Sequence, residues 1–241
     1  MKLFRRSNKD NIVKGNVPDL TLPMGDGTPA YNLPGELVDS MRYMITRIGR
    51  TGNFPSRLAI VAALRQEGVT YITRALAATL AHDSGENVCI VDVNWWWPSL
   101  SDLVAAENPG LAAVVSGVSS LDDVIALSGW PNLAIVPAGA MEPQHRPVMA
   151  RSNRLCEVLD ELGRRFDHLI LDVPAIQSTS DAIPLAARAD ACCVVIQQGV
   201  TTLEDVSLAL DEVDHIPILG VVMNRVQLST PDLLLKYIPV N

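Results

Sequence analysis

Residues 58–100 read LAIVAALRQEGVTYITRALAATLAHDSGENVCIVDVNWWWPSL. The stretch opens on an unbroken apolar run, Leu58–Ala62, of the kind a strand shows when both its faces are buried. A short loop containing Gly68 leads into Thr70–His82, which reads as a helix. Asn87–Val93 is a second apolar strand and ends in an acid, Asp92. Strand, loop, helix, strand is the crossover unit of a parallel sheet.

The same alternation continues outward. Asn132–Pro137 is a strand, Ser152–Phe166 an amphipathic helix, and His168–Val173 a strand leading into Asp172-Val173-Pro174. Ala191–Gln197 and Ile218–Val222 are further strands, with Leu203–Val213 a helix between them. Upstream, Leu37, Met41, Met44 and Ile45 mark a helix that starts after Pro34. The pattern predicts an α/β fold, a mainly parallel sheet with helices on both faces and ligands at the carboxyl ends of the strands. Residues 1–34 read as a basic, flexible N-terminal tail and 35–241 as a single domain.

Composition narrows the function classes. The chain has 241 residues, 48% of them hydrophobic, which excludes a disordered protein. No apolar run approaches the ~18 residues of a membrane span, and the basic start is followed by polar residues instead of a signal-peptide core. The first 14 residues hold five basic residues and one acid, net +4, leaving −12 of the total −8 on the rest. A basic arm with Leu3 and Phe4 suits an anionic membrane surface or a solubilising leader. The acidic body argues against nucleic acid. Cys89, Cys156, Cys192 and Cys193 form no CxxC, and the four histidines are scattered, so no metal centre is indicated from these types. Lysine occurs only at positions 2, 9, 14 and 236. A mechanism that needs a lysine within residues 15–235 is therefore excluded unless a tail or another subunit supplies it.

That gap falls on the loop after the first strand. Residues 62–71, AALRQEGVTY, have the place and length of a phosphate loop, whose pattern is GxxxxGK[ST]. In such a loop, backbone amides and the helix N-terminus hold phosphates, a lysine reaches the β/γ oxygens, and the hydroxyl binds Mg²⁺. Ala63 stands for the first glycine, Gly68 for the second, Val69 for the lysine, and Thr70 keeps the hydroxyl.

The chain resembles the bacterial tyrosine kinases of capsule and exopolysaccharide export, relatives of the MinD/ParA P-loop NTPases. These read S-A-x-P-G-E-G-K-S-T and then I-D-x-D-x-R-x-P-x-L; Glu67-Gly68 and Pro98-x-Leu100 match. Phe166–Pro174 resembles the Walker B segment and Asp181–Asp190 the following D-A-x-x-(apolar)-A-x-x-A-D helix. Leu219–Val226 resembles the late G-x-V-x-N strand, whose asparagine, here Asn224, reads the base. Glu36–Arg42 resembles the E-x-x-R-x-x-R helix of the kinase rings, with Asp39 at the central arginine. The resemblance spans roughly residues 36–227 and implies a P-loop NTPase fold.

The departures gather at the chemistry. Besides Val69, Tyr71 replaces a Ser or Thr, Asn94 replaces the second acid, and Trp95, Trp96 and Trp97 replace the basic residues after it. The late G-K-T loop reads Gly199-Val200-Thr201-Thr202, and the tyrosine-rich tail is reduced to Tyr237. The nucleotide-site candidates are thus Ala63, Leu64, Arg65, Gln66, Glu67, Gly68, Val69, Thr70, Tyr71 and Asn224. Asp92 and Asp172 are the catalytic candidates of an active enzyme, and with Thr70 the Mg²⁺ ligands; the other role for the acids is to bond loop amides. Arg65 and Arg74 are the candidate substitutes for the lysine, with Arg65 expected to point out of the loop. Along an extended segment Trp95 and Trp97 would be buried and Trp96 turned outward. The functional reading makes the three a partner hot spot, beside an interface at Glu36, Asp39 and Arg42. The expected function is a degenerate kinase-like scaffold or regulatory subunit with no resident cofactor and at most weak affinity for ATP and Mg²⁺. Its partners would be itself, a membrane-bound polysaccharide co-polymerase or activator, and an anionic membrane, on the cytoplasmic side. The alternatives are a weakly active ATPase or tyrosine kinase with a non-standard loop, and a MinD/ParA-like positioning factor.

Overall fold

A computed structural model describes residues 18–23 and 31–226. Seven strands form one sheet in the order β5-β6-β4-β7-β3-β8-β9. They are β3 (Arg57–Ala62), β4 (Val88–Asp92), β5 (Ala126–Leu127), β6 (Leu133–Val136), β7 (His168–Asp172), β8 (Ala191–Gln197) and β9 (Ile218–Asn224). Every neighbouring pair is parallel except β5 with β6. The continuous apolar runs are explained by burial on both faces. In β3, Ala59 and Val61 join one core, while Leu58, Ile60 and Ala62 join the other.

Helices α1 (Gly35–Thr51) and α2 (Val69–Ser84) cover the second face. The first is covered by α3 (Gly110–Val115), α5 (Asn153–Arg165), α6 (Ala182–Ala186) and α7 (Leu203–Glu212), with the short α4 (Arg146–Ala150) beside them. Ten consecutive residues of α2, Ile72–Ala81, are buried. Four of them are alanines, small enough to let α1 and the sheet close on opposite sides of the helix. Cys89, Cys192 and Cys193 are buried strand residues, and desolvation raises all three thiols, Cys192 to about 11.

The N-terminal tail needs a correction. Residues 20–33 include an antiparallel ribbon of β1 (Leu20–Leu22) and β2 (Tyr31–Leu33), with Leu22 and Leu33 fully buried in the α1/α2 core. Asp19 accepts the N–H of Gly35 at 2.9 Å, which ties the ribbon to the start of α1. The basic arm, residues 1–17, lies outside the described residues, as does Tyr237. Among the described residues no helix is long and apolar enough to cross a membrane.

β7 lies between β3 and β4, so the chain leaving β3 returns to the sheet beyond it, and the loops after β3 and β4 part above the end of β7. This is the crevice in which open parallel sheets bind ligands.

Candidate functional site

A cleft of about 500 Å³ opens there, lined by Tyr31, Leu64, Arg65, Gln66, Gly68, Val69, Thr70, Tyr71, Arg74, Asn94, Trp97, Ser99, Asp172, Val173, Ala175 and Arg225. Its floor is the loop between β3 and α2, which keeps the shape of a phosphate cradle. Gln66 and Gly68 both have left-handed backbone, φ 66° and 100°. Gln66 holds that conformation without glycine's freedom, at a cost of about 1 kcal/mol or more. At Gly68 a Cβ would come within 2.1 Å of the Asn224 amide nitrogen, so only glycine fits.

Side chains brace the loop from behind. The buried Glu67 carboxylate accepts the N–H of Leu64 at 2.8 Å and the hydroxyl of Thr201, which fastens the late Gly199–Thr202 loop to the cradle. Asn224 donates to the carbonyl of Glu67 at 2.8 Å and accepts the N–H of Arg225 at 2.8 Å. Each end of its amide makes one bond within the chain, so Asn224 braces the loop, with a second N–H and a second lone pair left over. The first amides of α2, on Val69 and Thr70, have no partner within their own helix by construction, and both residues line the cleft.

The two acids separate in role. Asp92 accepts the N–H of Asn94 at 2.8 Å and that of Ser99 at 3.1 Å, one on each oxygen. It organises the loop after β4, the amide-bonding role that the sequence offered beside a metal-ligand one. Asp172 is fully buried at the cleft floor, and its Oδ1 has no hydrogen-bond partner. Its Oδ2 accepts the Ser99 hydroxyl at 3.4 Å, and that hydroxyl shares a 2.7 Å bond with Thr70 Oγ1. Burial pushes the Asp172 carboxyl up to about 6, against the nearby Thr70 hydroxyl, the charge of Arg74 and the Ser99 hydroxyl. Asp92 is pushed well above the ordinary range by burial and then by Asp172 beside it. An orphaned buried carboxylate oxygen next to a hydroxyl fits a hard divalent cation, so Thr70 and Asp172 would hold Mg²⁺.

Three guanidinium groups line the cleft, and none takes the lysine's place. Arg74 donates to Asp102 at 2.7 and 3.3 Å and to the Ser99 carbonyl, under the ring of Tyr31 at 5.2 Å. Arg225 donates to Gln197 at 2.9 Å. Arg65 reaches out of its own loop, as expected, and stacks on Trp97 with its guanidinium carbon 3.7 Å from the ring centroid. Tyr71 borders the cleft and meets Tyr31 edge-on.

The tryptophans do not alternate. Asn94 Oδ1 accepts the N–H of Trp97 at 3.1 Å, and this turn breaks the extended chain that alternation requires. Trp95 is 2% exposed and donates to the Ala138 carbonyl at 2.9 Å, so it is core and no partner surface. Trp96 is half-buried near Arg146, and Trp97 is half-buried on the cleft wall. On α1, Asp39 and Glu36 are exposed, but Arg42 is spent on Asp83 of α2, at 2.7 and 3.1 Å. Tyr31, Ser99, Thr201 and Arg225 were not among the sequence candidates. Ser99 is the middle residue of Pro98-x-Leu100 and Arg225 follows Asn224, which is the signal that could have pointed to them.

No family model matches the chain. Among curated proteins it is 24% identical over 232 residues to tyrosine-protein kinase Ptk of Acinetobacter johnsonii, 93% of this chain but 30% of that protein. It is 27% identical over 190 residues to tyrosine-protein kinase CpsD of Streptococcus agalactiae, 76% of this chain and 81% of that one. It is 27% identical over 177 residues to the succinoglycan biosynthesis transport protein ExoP of Rhizobium meliloti, 71% of this chain and 22% of that one. The kinase domain of Escherichia coli tyrosine kinase ETK superposes with a TM-score of 0.70 at 22% identity, over 80% of this chain and 79% of that one. MinD of Pyrococcus horikoshii, complexed with Mg-ADP, does so at 0.59 and 24%, over 76% and 77%. The chain is a relative of the bacterial tyrosine kinases and has the P-loop fold they share with MinD.

Proposed function

We propose that the chain is a catalytically silent relative of the bacterial tyrosine kinases, acting as a scaffolding or regulatory subunit in capsule or exopolysaccharide synthesis and export. The observation that carries this is Val69. It sits at the first position of α2, apolar at the point where a phosphate loop presents its lysine, while Arg74 and Arg225 are held by other partners. Phosphoryl transfer depends on positioning and electrostatics, and losing one preorganised donor costs ~3–4 kcal/mol of barrier, or ~10²–10³ in rate. The pathway is supported by the names of its relatives, ExoP above all. In this role the chain works at the cytoplasmic face of the membrane, associates with itself, and docks on a membrane-bound polysaccharide co-polymerase. Residues 1–17 would supply contact with anionic lipid.

A weakly active ATPase is the second reading, favoured by the free Asp172 oxygen beside Thr70. Turnover separates the two. ATP hydrolysis and phosphotyrosine formation stay at background in the native chain and rise in the Val69→Lys, Tyr71→Thr variant. Native turnover equal to that of the variant sinks the scaffold reading.

A further inference from the structure

The contact between Arg65 and Trp97 joins the two walls of the cleft. Arg65 comes from the loop after β3 and Trp97 from the loop after β4, on either side of the strand that ends in Asp172. Trp97 is fixed, its N–H held by Asn94, whose own N–H is held by the buried Asp92. Arg65 is the less constrained half: an exposed side chain with no carboxylate partner among the described residues. Arg74, by contrast, is buried and paired with Asp102.

The same cleft carries two unmet demands. The Asp172 oxygen lacks a partner and calls for a cation. The amides of the loop, turned by the left-handed Gln66 and Gly68 and continued by the start of α2, call for an anion. A polyphosphate carrying Mg²⁺ meets both, and it brings more negative charge than the amides alone neutralise.

We propose that Arg65 and Trp97 form a latch across the cleft, in which the ring stores the guanidinium until a Mg²⁺-bound polyphosphate seated on the loop amides draws it onto the phosphate oxygens in place of the missing lysine. The latch rests on the reading of the cleft as a phosphate site without its lysine. It gives a subunit that turns nothing over a way to report ligand: Trp97 loses its cover when the cleft fills.

The full chain is titrated with Mg²⁺ and inorganic triphosphate, ADP or ATP, following tryptophan emission and melting temperature. Saturable changes in both are expected. Trp97→Phe removes the emission change. Trp97→Leu, which removes the ring, tightens binding by ~2–5-fold, the range of an exposed cation–π contact. Arg65→Met weakens binding by about 10-fold or more, as expected for a lost hydrogen bond to a charged group, and Arg65→Lys restores part of it. Equal binding of triphosphate and ADP assigns the ligand to the phosphate chain, and binding of nucleotides alone assigns it to a nucleotide. Native-like affinity in Arg65→Met, an emission change that survives in Trp97→Phe, or no binding of any probe to the native chain overturns the latch. Hydrolysis is assayed on the same samples: turnover with the latch behaviour intact refutes the silent-subunit reading and leaves the latch standing.

Discussion

Replacing Asp172 by Asn should change how stability depends on pH, and the size of the change follows from its burial. The carboxyl is fully buried, and burial raises it from 3.8 to about 6. A carboxyl raised on folding stabilises the fold fully below its unfolded value, and that contribution is lost as the pH rises through the folded value. The interval from 3.8 to about 6 corresponds to ~3 kcal/mol in all. Integrating the proton linkage gives a loss on the order of 1 kcal/mol between pH 5 and pH 8. The asparagine does not titrate and also relieves Asp92 of a neighbouring charge, so stability relative to the native chain should improve by about 1 kcal/mol or more over that range. A fixed cost of the new amide, about 1–3 kcal/mol if its nitrogen is left unbonded, is the same at both pH values and cancels in the comparison. The assay is urea unfolding of both proteins at pH 5 and pH 8 with a chelator present. Adding Mg²⁺ at pH 8 should then restore stability to the native chain and not to the variant. Parallel pH curves for the two proteins would refute the claim that Asp172 carries an uncompensated buried charge.

Three further outcomes follow from packing. Gly68→Ala should lower the melting temperature by several degrees, because the new Cβ meets Asn224 at 2.1 Å in a backbone with φ 100°; adding Asn224→Ala should recover only the steric part. Trp95→Leu should cost about 3 kcal/mol or more in denaturant unfolding, through lost volume and the orphaned Ala138 carbonyl, whereas Trp96→Leu, half-buried, costs clearly less. Asp83→Ala should cost under about 1 kcal/mol, since its pairing with Arg42 is partly exposed; a change in sedimentation on this substitution would show that freeing Arg42 alters self-association.

The sheet was legible because burial on both faces writes each strand as an unbroken apolar run. Ala191–Gln197 is found at its expected limits, and Leu58–Ala62 gains one residue. The ribbon of β1 and β2 was not legible, because its three-residue strands are too short to show a period. Their buried residues, Leu22 and Leu33, stand among turn formers that read as tail. The acids show a different limit. Asp92 and Asp172 both end a buried strand and pair in register, so nothing in one dimension separates them. What separates them is the turn after β4, whose two amides each bond one oxygen of Asp92. The loop after β7 leaves Asp172 Oδ1 open.

The missing lysine has the same character. Its absence is plain from the letters, yet the letters leave two arginines, Arg65 and Arg74, able to replace it. The structure puts both in one cleft with Arg225 and gives each a different constraint: Arg74 locked by a carboxylate, Arg225 by an amide, and Arg65 resting on a ring. Charge near a phosphate site therefore says little until its commitments are known. A buried cation held by a carboxylate and a carbonyl is costly to release, and an exposed one held by an aromatic face is released for ~0.5–1 kcal/mol. On that difference Arg65, the residue expected to point out of the loop, is the arginine that a ligand could recruit.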